Sequence, residues 1–143
     1  MRANTVHVTY DFAKPPERVF AYLAEHENLG PLFGAKVTRL RDGEAGERNG
    51  VGSSRELKVG PLPPFVETVH EFVPSERILY RITKGSPLKD HVGLMEFTPL
   101  PGGGTHFVYR IRIASAIPGL GPIIKTQLQR DVAKSLPLVD ERA

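Results

Sequence analysis

The sequence predicts an α+β fold: one curved, seven-stranded antiparallel sheet, two short helices after the first strand, and a long helix at the C-terminal end. Three observations carry this prediction. Most of the chain alternates apolar and polar residues with the period of two that a half-buried strand requires. Short turns rich in Gly and Pro separate the alternating segments, which makes consecutive strands antiparallel neighbours. The last apolar pattern, over residues 120–136, has a different period: Ile123 and Ile124 follow Leu120 by three and four, and Leu128, Val132 and Leu136 continue from Ile124 in steps of four, which is a helical stripe. At about 1.5 Å per residue the run is about 25 Å long.

Taken in order, residues 5–12 place Val6, Val8, Tyr10 and Phe12 on one face of a strand. Pro15-Pro16 follows; proline suits the first helical turn, so the pair starts a helix whose apolar side is Val19, Phe20 and Leu23. Glu17 complements the dipole at its start. Residues 26–34 form a second short helix with Leu29, Leu32 and Phe33 turned inward. Residues 35–41 and 52–59 are the next strands, joined by a polar, glycine-containing turn. Val37 and Arg39 share a face in the first of them, and Arg55, Leu57 and Val59 in the second. Residues 60–64 carry three prolines and bend the chain rigidly. Two hairpins complete the sheet: residues 65–73 with 77–83, and residues 90–98 with 105–113. Pro137 ends or kinks the closing helix, because it removes a hydrogen bond and clashes with the preceding turn.

With 143 residues the chain is expected to be one domain, large enough to bury a core. Charged residues are 24% and hydrophobic ones 40%, values of an ordinary soluble protein. No apolar run approaches the ~20 residues of a membrane span, and the first twelve residues go straight into a strand pattern. The expected location is cytoplasmic, with no membrane insertion. The chain has no cysteine, which excludes disulfides, thiolate metal sites and cysteine nucleophiles. The net charge of +3 comes from cations interleaved with acids along the chain, so nucleic acid is not an expected partner. The histidines at 7, 26, 70, 91 and 106 are isolated in sequence and show no metal-ligand spacing; no metal and no cofactor are expected.

Three stretches resemble the START and birch-pollen-allergen-like (SRPBCC) superfamily, and most closely its polyketide cyclase/dehydrase-like branch. They are Pro16-Glu17-x-Val19-Phe20 with Leu23-Ala24 after the first strand, Pro74-Ser75-Glu76-Arg77-Ile78 at a hairpin turn, and Phe97-Thr98-Pro99 followed by Gly102-Gly103-Gly104-Thr105. The resemblance spans nearly the whole chain. It implies a helix-grip fold, in which the sheet wraps the C-terminal helix and encloses a cavity for a hydrophobic or amphipathic small molecule. Many members carry a tryptophan after the second helix; this chain has none, and Phe33 stands nearest that place.

Face assignment by alternation then gives the strand residues expected to line such a cavity, Arg55, Leu57, Val69, Tyr80, Met95, Phe97 and Tyr109; the resemblance adds Phe33 at its mouth, and Leu120, Ile124 and Leu128 come from the closing helix. If Phe65, Val69 and Val73 face inward, Glu67 and Glu71 do too; the opposite phase, with Val66, Thr68, His70 and Phe72 inward, reads almost as well. Glu67 and His91 are the candidates for acid/base chemistry, since a carboxylate or imidazole inside an apolar pocket suits proton transfer. Arg55 pairing with Glu67 as a structural ion pair is the competing reading. Three functions fit: a binding protein for a hydrophobic ligand (lipid, polyketide or aromatic), a cyclase- or dehydratase-like enzyme acting in the same cavity, or an interaction module with a collapsed interior. Either a monomer or a homodimer is compatible with the sequence.

Overall fold

The computed structural model describes residues 2–143. The sheet contains β1 (Ala3–Phe12), β2 (Lys36–Arg41), β3 (Ser54–Lys58), β4 (Phe65–Val73), β5 (Arg77–Lys84), β6 (Leu88–Pro99) and β7 (Thr105–Ser115). All adjacent pairs are antiparallel, in the order β1-β7-β6-β5-β4-β3-β2. Helix α1 (Pro16–Ala24), a single 3-10 turn (His26–Asn28) and α2 (Gly30–Phe33) cross from the β1 edge to the β2 edge, and α3 (Leu120–Arg142) closes the inner face. The seven strands, the paired short helices and the long last helix follow the periodicities of the sequence.

Helix α1 begins where the double proline places it: Pro15 is the cap and Pro16 the first helical residue. Helix α3 runs alongside β1. Gln129 exchanges two hydrogen bonds with the backbone of His7, and Asp140 accepts from the backbone N–H groups of Ala13 and Lys14. These anchors explain why α3 continues to Arg142 instead of ending at Pro137. The ring is exposed, and beyond it Val139 is buried and Asp140 is tied down. Together they offset the lost helical bond, a cost of about 3 kcal/mol in a helix interior.

Two face assignments are corrected. Ile123 is 67% exposed; the inward stripe of α3 is instead Ile124, Leu128, Val132, Leu136 and Val139. In β4 both phases occur. Glu67 and Val69 point inward, a register shift between Val69 and Glu71 then flips the strand, and Phe72 packs on the core while Glu71 and Val73 are exposed. A bulge adds one residue to one strand of a pair and reverses every later side chain.

The interior has two parts. At the end of the sheet where β1 finishes, Phe12, Phe20, Phe72, Phe97 and Phe107 form one aromatic cluster, with ring centroids 5.2–5.5 Å apart. At the opposite end, where α3 begins beside Asn4, the strand registers place Val37, Phe65 and Leu88 on the sheet, and these three, like Ile124 and Leu128 of α3, are half-buried. One end is closed by solid packing. The other is a rim of partly covered apolar side chains.

Candidate functional site

One register step in from that rim lies a row of buried polar groups. Arg55 of β3 stands directly opposite Glu67 of β4. Its Nε donates to Glu67 Oε1 at 2.9 Å, and Nη2 lies 2.8 Å from the same oxygen. Nη2 is off the donor axis, so this buried nitrogen has no well-directed acceptor. The guanidinium also stacks on the Tyr80 ring, 4.7 Å from its centroid, a favourable cation–π arrangement. Glu67 Oε2 faces His91 Nε2 at 3.6 Å. His26, Arg55, Glu67 and His91 are each at most 8% exposed.

Local backbone features aim these groups. In β6 a register shift between Lys89 and Val92, with Asp90 at a φ of 52°, turns His91 inward. The Ile82 N–H donates to His91 Nδ1 at 3.0 Å, which leaves the proton on Nε2, facing Glu67. Tyr80 pairs across the strands with Gly93, and a Cβ at that glycine would collide with the phenol ring. Only glycine lets Tyr80 lie flat across β6 and bond its hydroxyl to that of Tyr109 on β7. Burial raises both tyrosine pKa values; for Tyr80 the hydroxyl of Tyr109 adds to this, and for Tyr109 the charge of Glu67 does.

His26, at the start of the 3-10 turn, completes the row. Ser53 Oγ donates to the Gly50 carbonyl at 2.6 Å and accepts from His26 Nε2 at 2.9 Å. His26 Nδ1 then presents its lone pair to Arg55 Nη1 at 3.4 Å. Burial, and next the positive charge of Arg55, lower the His26 pKa from 6.5 to about 3. Burial lowers His91 in the same direction, against the charge of Glu67. A histidine held neutral when folded but free to charge when unfolded costs stability only on the acid side. Above pH 6.5 neither state takes the proton; between 6.5 and about 3 only the unfolded chain does. Stability therefore falls below pH 6.5 by up to about 1.4 kcal/mol per pH unit for each such group. Urea denaturation across that range should show the decline, and His26→Gln should make it shallower; an equal slope in the variant would assign the decline elsewhere.

An internal void of about 10 Å³, room for about one water molecule, borders Arg55. Val69, Ile78, Tyr80 and Met95 line it from the sheet, and Leu23, Ala24 and Leu29 cover it from above. It lies under α1 and the turn that follows, whereas the space beneath the second half of α3 is filled by Val132, Leu136 and Val139. A groove of about 640 Å³ lies on the outer face of β2 to β5, between Leu40, Glu56, Val66 and Thr83. None of the buried ionisable groups faces that groove, so the interior is the candidate site.

Of the residues expected from the sequence, Arg55, Val69, Tyr80 and Met95 come together at the void. Glu67, His91 and Tyr109 adjoin them through Arg55 and Tyr80. Leu57 and Phe33 are buried toward the rim, and Leu120, Ile124 and Leu128 are half-buried on α3. Phe97 belongs to the closed aromatic end, away from this group. His26 and Ser53 were not expected. They lie 27 residues apart, in a turn and at a strand edge, where no periodicity marks an inward side chain. Among the described residues no group of three or more His, Cys, Asp or Glu is placed to hold a metal ion, and no helix is long and apolar enough to cross a membrane.

The sequence profile of the family described as polyketide cyclase/dehydrase and lipid transport matches residues 3–142. No curated protein matches the chain in sequence. Several solved structures share the fold. A START superfamily protein from Mycobacterium smegmatis superposes with a TM-score of 0.78 at 18% identity, covering 97% of this chain and 99% of its own. The Zhui aromatase/cyclase of Streptomyces sp. R1128 gives 0.75 at 18%, covering 99% and 93%. A protein from Thermus thermophilus gives 0.75 at 20%, covering 97% and 96%.

Proposed function

Because the chain belongs to the polyketide cyclase/dehydrase and lipid transport family, we propose that it binds a small amphipathic molecule inside the sheet. The polar, oxygen-bearing head of that molecule meets Arg55, and its apolar body extends toward the rim of Leu57, Phe65, Ile124 and Leu128. The observation that carries this reading is the buried guanidinium nitrogen with no directed acceptor, next to a void. Nη2 keeps its charge contact with Glu67 but lacks a directed acceptor, and a ligand carbonyl, phenol or carboxylate oxygen would supply one. A core meant only for stability would gain from apolar residues in place of an ion pair, two histidines and two tyrosines. That comparison disfavours a collapsed interaction module, although the void is small. A ligand larger than water requires α1 and the turn after it, which cover the void, or the half-buried first part of α3 to stand off the sheet.

Cyclase- or dehydratase-type chemistry is the second reading, and one geometric feature favours it. Glu67 Oε2 and the proton-bearing His91 Nε2 lie 3.6 Å apart, and Glu67 is hydrogen-bonded to Arg55, which borders the void, so a proton carrier and an oxyanion donor are adjacent. The fold neighbour from Streptomyces is itself an aromatase/cyclase.

Native mass spectrometry of the purified protein tests the binding reading. The expected result is a co-purifying small molecule, lost in Arg55→Met. An apo mass, together with no thermal shift across fatty acids and aromatic polyketides, would overturn it.

A further inference from the structure

Positive charge that looks dispersed along the chain is gathered by the fold. In the antiparallel meander, the starts of β1, β2, β4, β6 and α3 and the ends of β3, β5 and β7 all lie at one end of the sheet. The segments there, residues 2–3, 34–36, 58–64, 84–90 and 115–125, carry Arg2, Lys36, Lys58, Lys84, Lys89 and Lys125, all exposed. Asp90 is their one acidic residue. Removing six cations from 19 and one acid from 16 leaves 13 cations against 15 acids, so the rest of the chain is net acidic.

The same end exposes apolar side chains. Leu62 is 44% exposed, Ile117 53% and Ile123 67%. They stand in the β3–β4 connection, the β7–α3 connection and the first turn of α3, on both sides of the half-buried rim. The connections are held by Pro61, Pro63 and Pro64 on one side and contain Pro118 and Gly119 on the other.

We infer that this end of the molecule docks peripherally on an anionic lipid bilayer. Protruding aliphatic side chains among lysines match a surface with phosphate-bearing headgroups above an apolar layer. Leu62, Ile117 and Ile123 would sit at headgroup level, with the lysines drawn to the anionic lipids and no segment crossing. A soluble acidic protein would use the charges but gives no reason for bare isoleucine on both sides of the α3 start. The inference extends the interior-binding reading by giving its ligand a source: docking sets the rim against the membrane, where an amphipathic molecule can pass between bilayer and interior.

The test is flotation with phosphatidylcholine vesicles, with and without phosphatidylserine. Binding is expected only to the vesicles containing phosphatidylserine and should weaken with added salt. Ile117→Ser/Ile123→Ser and Lys84→Glu/Lys89→Glu should each reduce it about tenfold or more, since one lysine near such a surface is worth roughly fivefold. Val73→Ser, exposed at the other end of the sheet, should leave it unchanged. No binding, equal binding to neutral vesicles, or indifference to either double variant would overturn the inference. So would tighter binding to polyglutamate or duplex DNA than to the vesicles. Arg55→Met separates the two proposals: it should abolish the interior ligand and retain vesicle binding. An apo protein that still floats would leave docking standing without the interior reading.

Discussion

Glu67→Leu alone is expected to lower the unfolding free energy by about 3–5 kcal/mol, and Arg55→Met/Glu67→Leu to recover most of that loss. The single change leaves a buried guanidinium facing His26 and Tyr80 with no counter-charge, and removes the carboxylate toward which His91 points. Desolvating an unpaired charge is what makes such variants costly. The double variant removes both charges and replaces them with side chains of similar bulk against Leu57, Val69 and Met95. Urea denaturation followed by circular dichroism measures all three free energies. Ligand binding should be absent from the double variant even though its stability returns. That split between stability and binding separates a functional pair from a structural one. If the double variant were no more stable than the single, the pair would be part of the architecture, and the case for a ligand at Arg55 would lose its main support.

The sheet was legible in the sequence because alternation reports burial directly. Arg55 and Leu57, Met95 and Phe97, and Phe107 and Tyr109 each fell on the inner face that their spacing implied. The long helix was legible for the corresponding reason, with a period between three and four. What failed to show was set by irregular backbone or by contacts between distant residues. The bulge in β4 let two incompatible phases both be true, one before Val69 and one after Glu71. His26 joins the polar row only because the 3-10 turn sets it over Ser53 and Arg55. Pro137 stays helical because Asp140 grips the backbone at Ala13, a long-range bond that helix rules cannot anticipate. The lysines seemed scattered because alternate connections of a meander return to the same end, and distance along the chain says nothing about that. The location of the void was hidden for another reason: it depends on how α1 and the turn after it seat against Arg55 and Tyr80.

Leu136→Ala is expected to cost about 2–5 kcal/mol, and Leu128→Ala much less, although both lie on the inward stripe of α3. Leu136 is fully buried, flanked by buried Val132 and Val139 and tied down by Asp140 beyond them, whereas Leu128, Ile124 and Leu120 keep contact with solvent. Residual cavity volume sets the cost of such truncations, and a half-exposed site leaves little cavity. The backbone should show the same gradient: amide exchange faster over residues 122–130 than over 132–139, because local opening is least costly where buried apolar contact is least. The two halves of α3 would then have different roles. The second fixes the helix to β1 and α2, and the first, half-buried beyond its Gln129 anchor to His7, can open to a ligand without unfolding the domain. Leu128→Ala should therefore alter ligand affinity more than stability. Equal destabilisation by both truncations, with uniform slow exchange along the helix, would mean that α3 is core throughout. Opening it would then require unfolding on the scale of the whole domain, and an interior ligand could not be reached by this route.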